Sequence, residues 1–239
     1  MTRRKTDKYL FSNLAENVIE RGKPLYTAIL GKWNELYFQN QNPIVVELAC
    51  GKGEYTVGLA QKFPDKNFIG VDLKGDRIAR GSKLASDLGL TNVAFLRTSI
   101  NYLDEFFEEN EISELWLIHP DPHVRDRDEK KRLTNPFYLK KYIKYLKAEG
   151  FFHFKTDNPQ LFTYSLDTIK SMDVLSIQAF TSDLYQSDLR AFHHDIETHY
   201  ERVFVAKGFT INYIQAVNNK AANPKAAASI VPENQELVQ

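Results

Sequence analysis

The chain has 239 residues, of which 43% are hydrophobic and 13% aromatic, so it can bury the core of one large folded domain. Lys+Arg and Asp+Glu both number 31, and this balance by itself gives no support to a nucleic-acid partner. The one cysteine, Cys50, excludes an internal disulfide and is typical of a reducing compartment. The sequence has neither the apolar core of a signal peptide nor about 18 consecutive apolar residues, so we expect a cytoplasmic protein without a membrane span.

Three segments are predicted along the chain. Residues 1–40 form a basic arm followed by helices, since four of the first eight residues are basic and residues 9–40 have a helical pattern that breaks at 22–24. Residues 41–219 form the main domain. Residues 220–239 lack hydrophobic periodicity, which predicts a disordered tail.

Within the main domain, short apolar runs alternate with helical segments. The apolar runs cover residues 44–48, 68–73, 93–97, 115–118, 151–156, 174–180 and 209–217. The helical segments cover residues 54–63, 75–88, 101–110, 136–147, 159–172 and 198–207. This alternation is typical of strands joined by crossover helices, so it predicts an α/β fold with a mostly parallel sheet and helices on both faces.

A glycine turn follows the first apolar run, in "VVELACGKGEY". Gly51 and Gly53 allow a tight turn and the close approach of a ligand. Asp72 ends the second run, 21 residues after Gly51, at the position from which a carboxylate reaches ribose hydroxyls. The turn and the distant acid together predict a cofactor site, and an ordinary strand–helix turn is the alternative.

The residues around the turn favour one cofactor over another. A dinucleotide needs a third glycine, and Thr56 stands in its place. The pattern acid-x-Gly-x-Gly-x-Gly begins at Glu47 and is matched except at Ala49. Glu47 and Glu54 repel phosphates and suit the cationic S-adenosylmethionine. Cys50 is explained as a small residue in a tight turn, because no base for a nucleophile lies near it in the sequence.

The stretch "LWLIHPDPHVRDRDEKKRLT" places an acid between two prolines at the end of an apolar run. Asp121 comes just after the fourth run, at the sheet edge where ligands bind in open α/β folds, and the prolines restrict its backbone. The basic residues that follow are Arg125, Arg127, Lys130, Lys131 and Arg132. They predict a surface for phosphate contacts, with a solvated loop as the alternative.

Two downstream motifs complete a pattern. "FKTDNPQLF" places Asp157 after the fifth run, and "ETHYERVF" contains Thr198, Tyr200 and Glu201. Singly, each motif is explained as a helix start, with Asn158 as an N-cap in one and a capping box in the other. In combination with the glycine turn, the Pro-Asp-Pro strand end and a basic stretch that ends in Lys-Arg-Leu-Thr, they resemble the bacterial tRNA (guanine-N7)-methyltransferases.

The resemblance covers roughly residues 43–217 and implies a fold, a cofactor and a substrate. The fold is a Rossmann-like class I methyltransferase with a seven-stranded sheet, the methyl donor is S-adenosylmethionine, and the acceptor is a guanine in the variable loop of tRNA. Asp121 would be the catalytic residue. The implied cofactor contacts are Glu47, Gly51, Gly53, Asp72, Ser99 and Asp121. The implied substrate contacts are Arg125, Asp157, Thr198, Tyr200 and Glu201. No metal is implied, and the oligomeric state is left open between a monomer and a homodimer.

Several residues depart from the family pattern. Ala49 stands at the family's first glycine, so we expect the turn to avoid a positive φ there. Ser99 stands where an aspartate is usual near the adenine, and a serine hydrogen bond lacks charge assistance. His119 replaces a common phenylalanine, and Arg125 replaces a lysine. Ala49 and Ser99 leave open a tRNA-binding family member without transfer activity.

Two further alternatives concern other chemistry. His119, Asp121 and His123 alternate at a strand end, and with Asp126 and Asp128 they suggest a metal-dependent phosphoesterase. That hypothesis leaves the glycine turn and the downstream motifs unexplained. A class I methyltransferase acting on a protein or a small molecule is the other alternative, and the charged loop argues against it.

Overall fold

Eight strands form one mixed sheet in the computed structural model, which describes residues 15–220. The strands are β1 (Val18–Ile19), β2 (Ile44–Leu48), β3 (Asn67–Asp72), β4 (Val93–Arg97), β5 (Ile112–Ile118), β6 (Leu146–Thr156), β7 (Leu175–Thr181) and β8 (Asn212–Asn218). Their order across the sheet is β1-β4-β3-β2-β5-β6-β8-β7. β8 pairs antiparallel with both β6 and β7, and the other described pairs are parallel. The predicted α/β sheet is confirmed, with one strand more than the seven expected.

Six α-helices connect or cover the strands in the described part of the chain. They are α1 (Leu25–Ala28), α2 (Glu54–Lys62), α3 (Gly75–Asp87), α4 (Pro136–Tyr145), α5 (Pro159–Lys170) and α6 (His199–Ala206). Shorter helical segments are a π-helix at Trp33–Phe38 and 3₁₀ helices at Ile100–Glu105, Asp126–Lys131 and Asp188–His193. The five longer α-helices lie within two residues of their predicted bounds, because their apolar faces have the helical period. The helix predicted over residues 101–110 is wrong, since only a 3₁₀ helix over Ile100–Glu105 forms there.

The N-terminal segment differs from its predicted helical pattern. Before the break at 22–24, Val18 and Ile19 form β1 and pair with Phe95 and Leu96 of β4. Both side chains are almost fully buried, so packing against the sheet edge decides their conformation. A strand of two residues is too short to show an alternating pattern. The predicted basic arm and disordered tail lie mostly or wholly outside the described residues.

The strand order determines at which edge of the sheet a ligand can bind. β2 lies between β3 and β5, so the chain leaves the centre in both directions and forms a crevice at the carboxyl ends of these strands. β8 starts where β6 ends, since Asn212 pairs with Thr156. The segment that precedes β8, including α6, therefore returns to the same edge. Among residues 15–220, no helix is long and apolar enough to cross a membrane.

The turn after β2 contradicts one expectation. Ala49 has a φ of 56°, so the expectation that the turn avoids a positive φ at this residue is wrong. Hydrogen bonds from the amide of Cys50 to the carbonyl of Val71 (3.0 Å) and from Gly53 to Cys50 (2.9 Å) fix the course of the backbone. The alanine thus keeps the left-handed conformation that a glycine would adopt with less strain.

Replacing Ala49 by glycine should leave the protein as stable or raise its free energy of unfolding by up to about 1 kcal/mol. Relief of the left-handed strain, about 1–2 kcal/mol, is partly offset by the larger entropy of glycine in the unfolded chain. Ala49→Val should lower stability by more than about 1 kcal/mol, because a β-branched residue tolerates this φ poorly. Urea unfolding measures both, and a destabilised Ala49→Gly variant would contradict the strain argument.

Candidate active site

Two glycines shape the turn between β2 and α2 for different reasons. Both have left-handed backbones, with φ of 57° at Gly51 and 67° at Gly53. A Cβ atom at Gly53 would lie 2.5 Å from the ring of Phe95, so packing alone requires a glycine there. A Cβ atom at Gly51 would meet no atom within 4 Å. Of the two, Gly51 is therefore the one that leaves space for a ligand.

Glu47 lies under this turn. It accepts hydrogen bonds from the amide of Thr56 (2.7 Å) and from the Thr56 hydroxyl, and so satisfies an N–H of the first turn of α2. Burial raises the pKa of the Glu47 carboxyl to about 8, against the hydrogen bonds from Thr56, and the nearby Asp72 and Glu54 add to the rise. A cation bound here would relieve this repulsion, whereas a phosphate would increase it.

Asp72 is fixed by the backbone on both sides. Its Oδ2 accepts the amide of Gly51 at 2.9 Å and its Oδ1 accepts the amide of Lys74 at 2.7 Å. Each oxygen has two acceptor positions, so both can take one more donor. A cleft of about 420 Å³ begins at Leu73, the residue after Asp72, and Arg97, Ser99 and Tyr102 also line part of it. The hydroxyl of Ser99 accepts the amide of Asn101 at 3.3 Å and caps the following 3₁₀ helix.

A second cleft, of about 340 Å³, lies at the ends of β5 and β6. It is lined by Arg77, His119, Pro120, Asp121, Pro122, Asp157, Asn158, Tyr200 and Phe204. Asp121 is exposed. The residues on either side of the Pro-Asp-Pro stretch, His119 and His123, have φ of 45° and 43°. The structure thus brings Asp121 and Asp157, which are predicted from separate motifs, together with Tyr200 in one cleft.

Glu201 is the centre of a buried charge network. Its carboxylate accepts two hydrogen bonds from Lys155, at 2.9 and 3.2 Å, and both side chains are fully buried. His193 Nε2 lies 3.3 Å from Oε1, and the hydroxyl of Tyr185 donates to the same oxygen at 3.2 Å. Burial opposes the charged carboxylate, but these contacts and that of His119 outweigh it and lower the pKa of Glu201. Predicted as a substrate contact, Glu201 has its oxygens engaged inside the protein.

The three other predicted substrate contacts, Thr198, Tyr200 and Arg125, lie in different surroundings. Thr198 is the N-cap of α6 and accepts the amide of Glu201 at 3.1 Å, which is one half of a capping box. Tyr200 is 56% exposed, and the ammonium of Lys52 in the glycine turn lies 5.5 Å from its ring centre. Arg125 lies outside the cleft lining and bonds Asp128 at 2.9 Å, so its contact with tRNA stays a prediction.

Several residues of the site carry no clear signal in the sequence. Lys155 belongs to the "FKTDN" motif, but a lysine at a strand end is usually exposed, and its buried partner lies 46 residues further along. His193 and Tyr185 come from the long connection before β8. Arg77 lines the cleft from the first turn of α3, where a basic residue has no special meaning. Only the fold brings these side chains to the edge.

The metal-site alternative has no support in the described residues. Among residues 15–220, no group of three His, Cys, Asp or Glu side chains has the arrangement that could hold a metal ion. His119 points its ring nitrogens at Asp157 and Glu201 instead.

Alanine at each glycine of the turn should separate packing from binding. Gly53→Ala should lower the free energy of unfolding by about 2–4 kcal/mol, since the new methyl group collides with Phe95. Gly51→Ala should cost only about 1 kcal/mol of backbone strain, yet it should weaken binding of S-adenosylmethionine at least about tenfold. Thermal unfolding and calorimetry measure the two effects. Unchanged affinity in Gly51→Ala would contradict the pocket assignment.

Removing the charge of Glu201 should destabilise the folded protein. Glu201→Gln leaves Lys155 buried without a carboxylate, so we expect a loss of about 3–5 kcal/mol in the free energy of unfolding, measured in urea. Glu197→Gln is the control, since this exposed neighbour should cost no more than about 0.5 kcal/mol. Because the folded pKa of Glu201 lies below 4.5, its contribution is complete above pH 4.5 and declines as the pH falls further. Equal losses in the two variants would contradict this role.

Comparison with known proteins assigns the chain to a family. Residues 41–213 match the family model described as "Putative methyltransferase". The tRNA (guanine-N(7)-)-methyltransferase of Cytophaga hutchinsonii is 41% identical over 220 residues, 90% of this chain and 97% of that protein. The enzymes of the same name from Bacteroides fragilis and Bacillus licheniformis are 46% and 38% identical, over 77% and 78% of this chain and 72% and 85% of their own.

Solved structures agree on the fold. The 16S rRNA methyltransferase KamB matches 77% of this chain and 91% of its own with a TM-score of 0.57 at 13% identity. An rRNA methylase from Streptococcus thermophilus matches 91% of this chain and 98% of its own with a TM-score of 0.51 at 15% identity. At such identities the likeness concerns the fold alone. With the family match over residues 41–213 and three relatives at 38–46% identity, the chain belongs to the tRNA (guanine-N(7)-)-methyltransferase family.

Proposed function

We propose that this protein transfers a methyl group from S-adenosylmethionine to N7 of a guanine in the variable loop of tRNA. The observation that carries the proposal is the cleft that holds Asp121 and Asp157 at the same sheet edge as the glycine turn. The names of the relatives support the reaction and the substrate. We further propose that the protein acts in the cytoplasm, where tRNA is a substrate.

The residues of the glycine turn fit the methyl donor. Open space beside Gly51 leaves room for a ligand, and Asp72 retains acceptor positions for two ribose hydroxyls. The exposed side chains of Leu73 and Tyr102 offer apolar surface for an adenine ring, with Ser99 beside them. Glu47 supplies negative charge for a cation. When bound, S-adenosylmethionine supplies a methyl group already activated by its positively charged sulfur.

Asp121 acts without removing a proton. Guanine N7 has a lone pair and no hydrogen, so the acceptor needs no general base. The tasks left to the protein are to align the reacting atoms and to stabilise the positive charge that develops on the purine. Asp121 follows β5, which pairs with β2 of the glycine turn, and its carboxylate is held between two prolines. A fixed negative charge in this place favours the transition state over the ground state.

Asp157 recognises the base. Guanine presents two donors on its Watson–Crick edge, N1–H and the exocyclic amine, and a carboxylate accepts from both. Adenine lacks the N1–H donor and would leave one oxygen of the carboxylate without a partner. Asp157 remains partly exposed, whereas Glu201 is fully buried and engaged by Lys155. We therefore assign recognition of the guanine to Asp157, with Tyr200 as an exposed ring that can stack on the base after it leaves the RNA stack.

Asp121 variants test the reaction. Asp121→Asn and Asp121→Ala should each lower the single-turnover rate of methyl transfer by at least about 100-fold, because both remove the charge that stabilises the transition state. Their affinity for tRNA should change by no more than about threefold, since tethering of the RNA is a separate task. Mass spectrometry of the tRNA nucleosides identifies the product as N7-methylguanosine.

Asp126→Asn is the matched control, because this aspartate is exposed at the start of the 3₁₀ helix after the Pro-Asp-Pro stretch and lies outside the cleft lining. It should keep the rate of the unchanged protein. A second control is a tRNA with adenine at the variable-loop position, which should not be methylated. Near-normal turnover of folded Asp121→Ala, or a methyl group found on another nucleoside, would overturn the proposal.

A further inference from the structure

His119 faces a carboxylate at each ring nitrogen and forms a hydrogen bond with one of them, that of Asp157. His119 follows β5, and its amide still pairs with the carbonyl of Lys155 at 2.9 Å. Its Nδ1 lies 3.2 Å from Oδ1 of Asp157, and its Nε2 lies 3.4 Å from Oε2 of Glu201, a charge contact longer than a well-formed hydrogen bond. The side chain is 8% exposed, so little water can replace either contact.

The charges around His119 favour the doubly protonated ring. The titratable and charged groups around it are Lys155 on β6, Asp157 after β6, Glu201 on α6, His193 and Tyr185 on the far side of Glu201, and Asp121 and Arg77 in the cleft. With the imidazole neutral, one lysine faces two carboxylates. A neutral ring also donates at one nitrogen only and turns a lone pair toward the other carboxylate. Burial opposes the charge, but the contacts with Asp157 and Glu201 outweigh it and raise the pKa of His119.

The two carboxylates do not respond equally when His119 loses its charge. Glu201 is fully buried and held by Lys155, so it cannot turn away. Asp157 is 21% exposed at the cleft and is held by His119 through Oδ1. Repulsion between a lone pair of the neutral ring and a carboxylate is therefore relieved by movement of Asp157.

We propose that His119 is a positioning residue that orients Asp157 for recognition of the guanine. The proposal rests on the proposed function, because it assigns a purpose to the orientation of Asp157. The charged ring donates to Oδ1 and leaves the other oxygen of Asp157 directed to the cleft. Recognition of the guanine then weakens as the pH rises above 6.5, the ordinary pKa of histidine, and passes the raised pKa of His119. This makes the acceptor site, rather than the methyl transfer itself, sensitive to pH.

Steady-state methylation of an unmodified tRNA transcript, with radiolabelled S-adenosylmethionine between pH 6 and 9, tests this role. For the unchanged protein, KM for tRNA should rise at least about fivefold across this range, with kcat changed less than about threefold. His119→Gln keeps an N–H donor for Asp157 without a charge, and His119→Phe keeps the ring without a donor. Both should have a KM independent of pH, and at pH 6 the Phe variant should have a KM at least about tenfold above that of the unchanged protein.

His199→Gln is the matched control, because this histidine is exposed on α6 and its ring packs against Tyr200 without a hydrogen bond to Asp157, while its backbone amide donates to Glu54. It should retain the pH dependence. Melting curves show whether His119→Phe folds. If it does not fold, the pH dependence of KM in His119→Gln alone tests the role of His119. A flat KM profile for the unchanged protein, or a pH-dependent one in His119→Gln, would overturn the role of His119 while leaving the proposed function intact. Absence of tRNA methylation by the unchanged protein would overturn both.

Discussion

The ion pair between Lys155 and Glu201 is the contact on which the rest of the site depends. It joins the end of β6 to α6 across 46 residues of chain and lies fully out of water. A buried pair of this kind gains little net stability, because desolvation of both charges offsets their attraction. Its effect is on geometry: with α6 fixed against β6, Tyr200 faces the cleft that holds Asp157. The amide of His199 also bonds Glu54, so α6 is tied to the glycine turn as well.

Negative charge is concentrated at this edge, and the protein tolerates it in different ways. Burial raises the pKa of the Glu47 carboxyl to about 8, and a cation bound beside it would favour its charged form. Asp72 accepts two backbone amides, whereas burial of the Glu201 carboxyl is outweighed by contacts with His119, His193 and Lys155, which lower its pKa. An exposed acid such as Asp121 needs no such support, because water solvates it. The surroundings of these acids therefore indicate their roles. Glu47, Asp72 and Asp121 can face a cation, whereas Glu201 holds the fold together.

Much of the fold could be predicted from the sequence, because each long element carries its own period. β2 and β4 have the bounds of their apolar runs, and the spacing from Gly51 located Asp72 at the end of β3. Three features could not be found in this way. The strand at Val18–Ile19 is too short for a pattern, the pairing of Lys155 with Glu201 joins distant segments, and the left-handed φ of Ala49 is set by hydrogen bonds across the turn. All three are decided by tertiary contacts, which local propensity does not record.

Methylation at N7 explains why the acceptor cleft can place two carboxylates beside the purine and needs no general base. The reaction moves one positive charge from sulfur to the purine, and no proton has to be removed from the acceptor. A side chain tuned to take up protons would contribute nothing, whereas a carboxylate beside the purine is stabilising as the charge arrives. Asp121 and Asp157 are both in this cleft, and the strands that carry them are neighbours in the sheet. In the proposed assignment, Asp72 presents negative charge where the positive charge starts, and Asp121 and Asp157 present it where the charge ends.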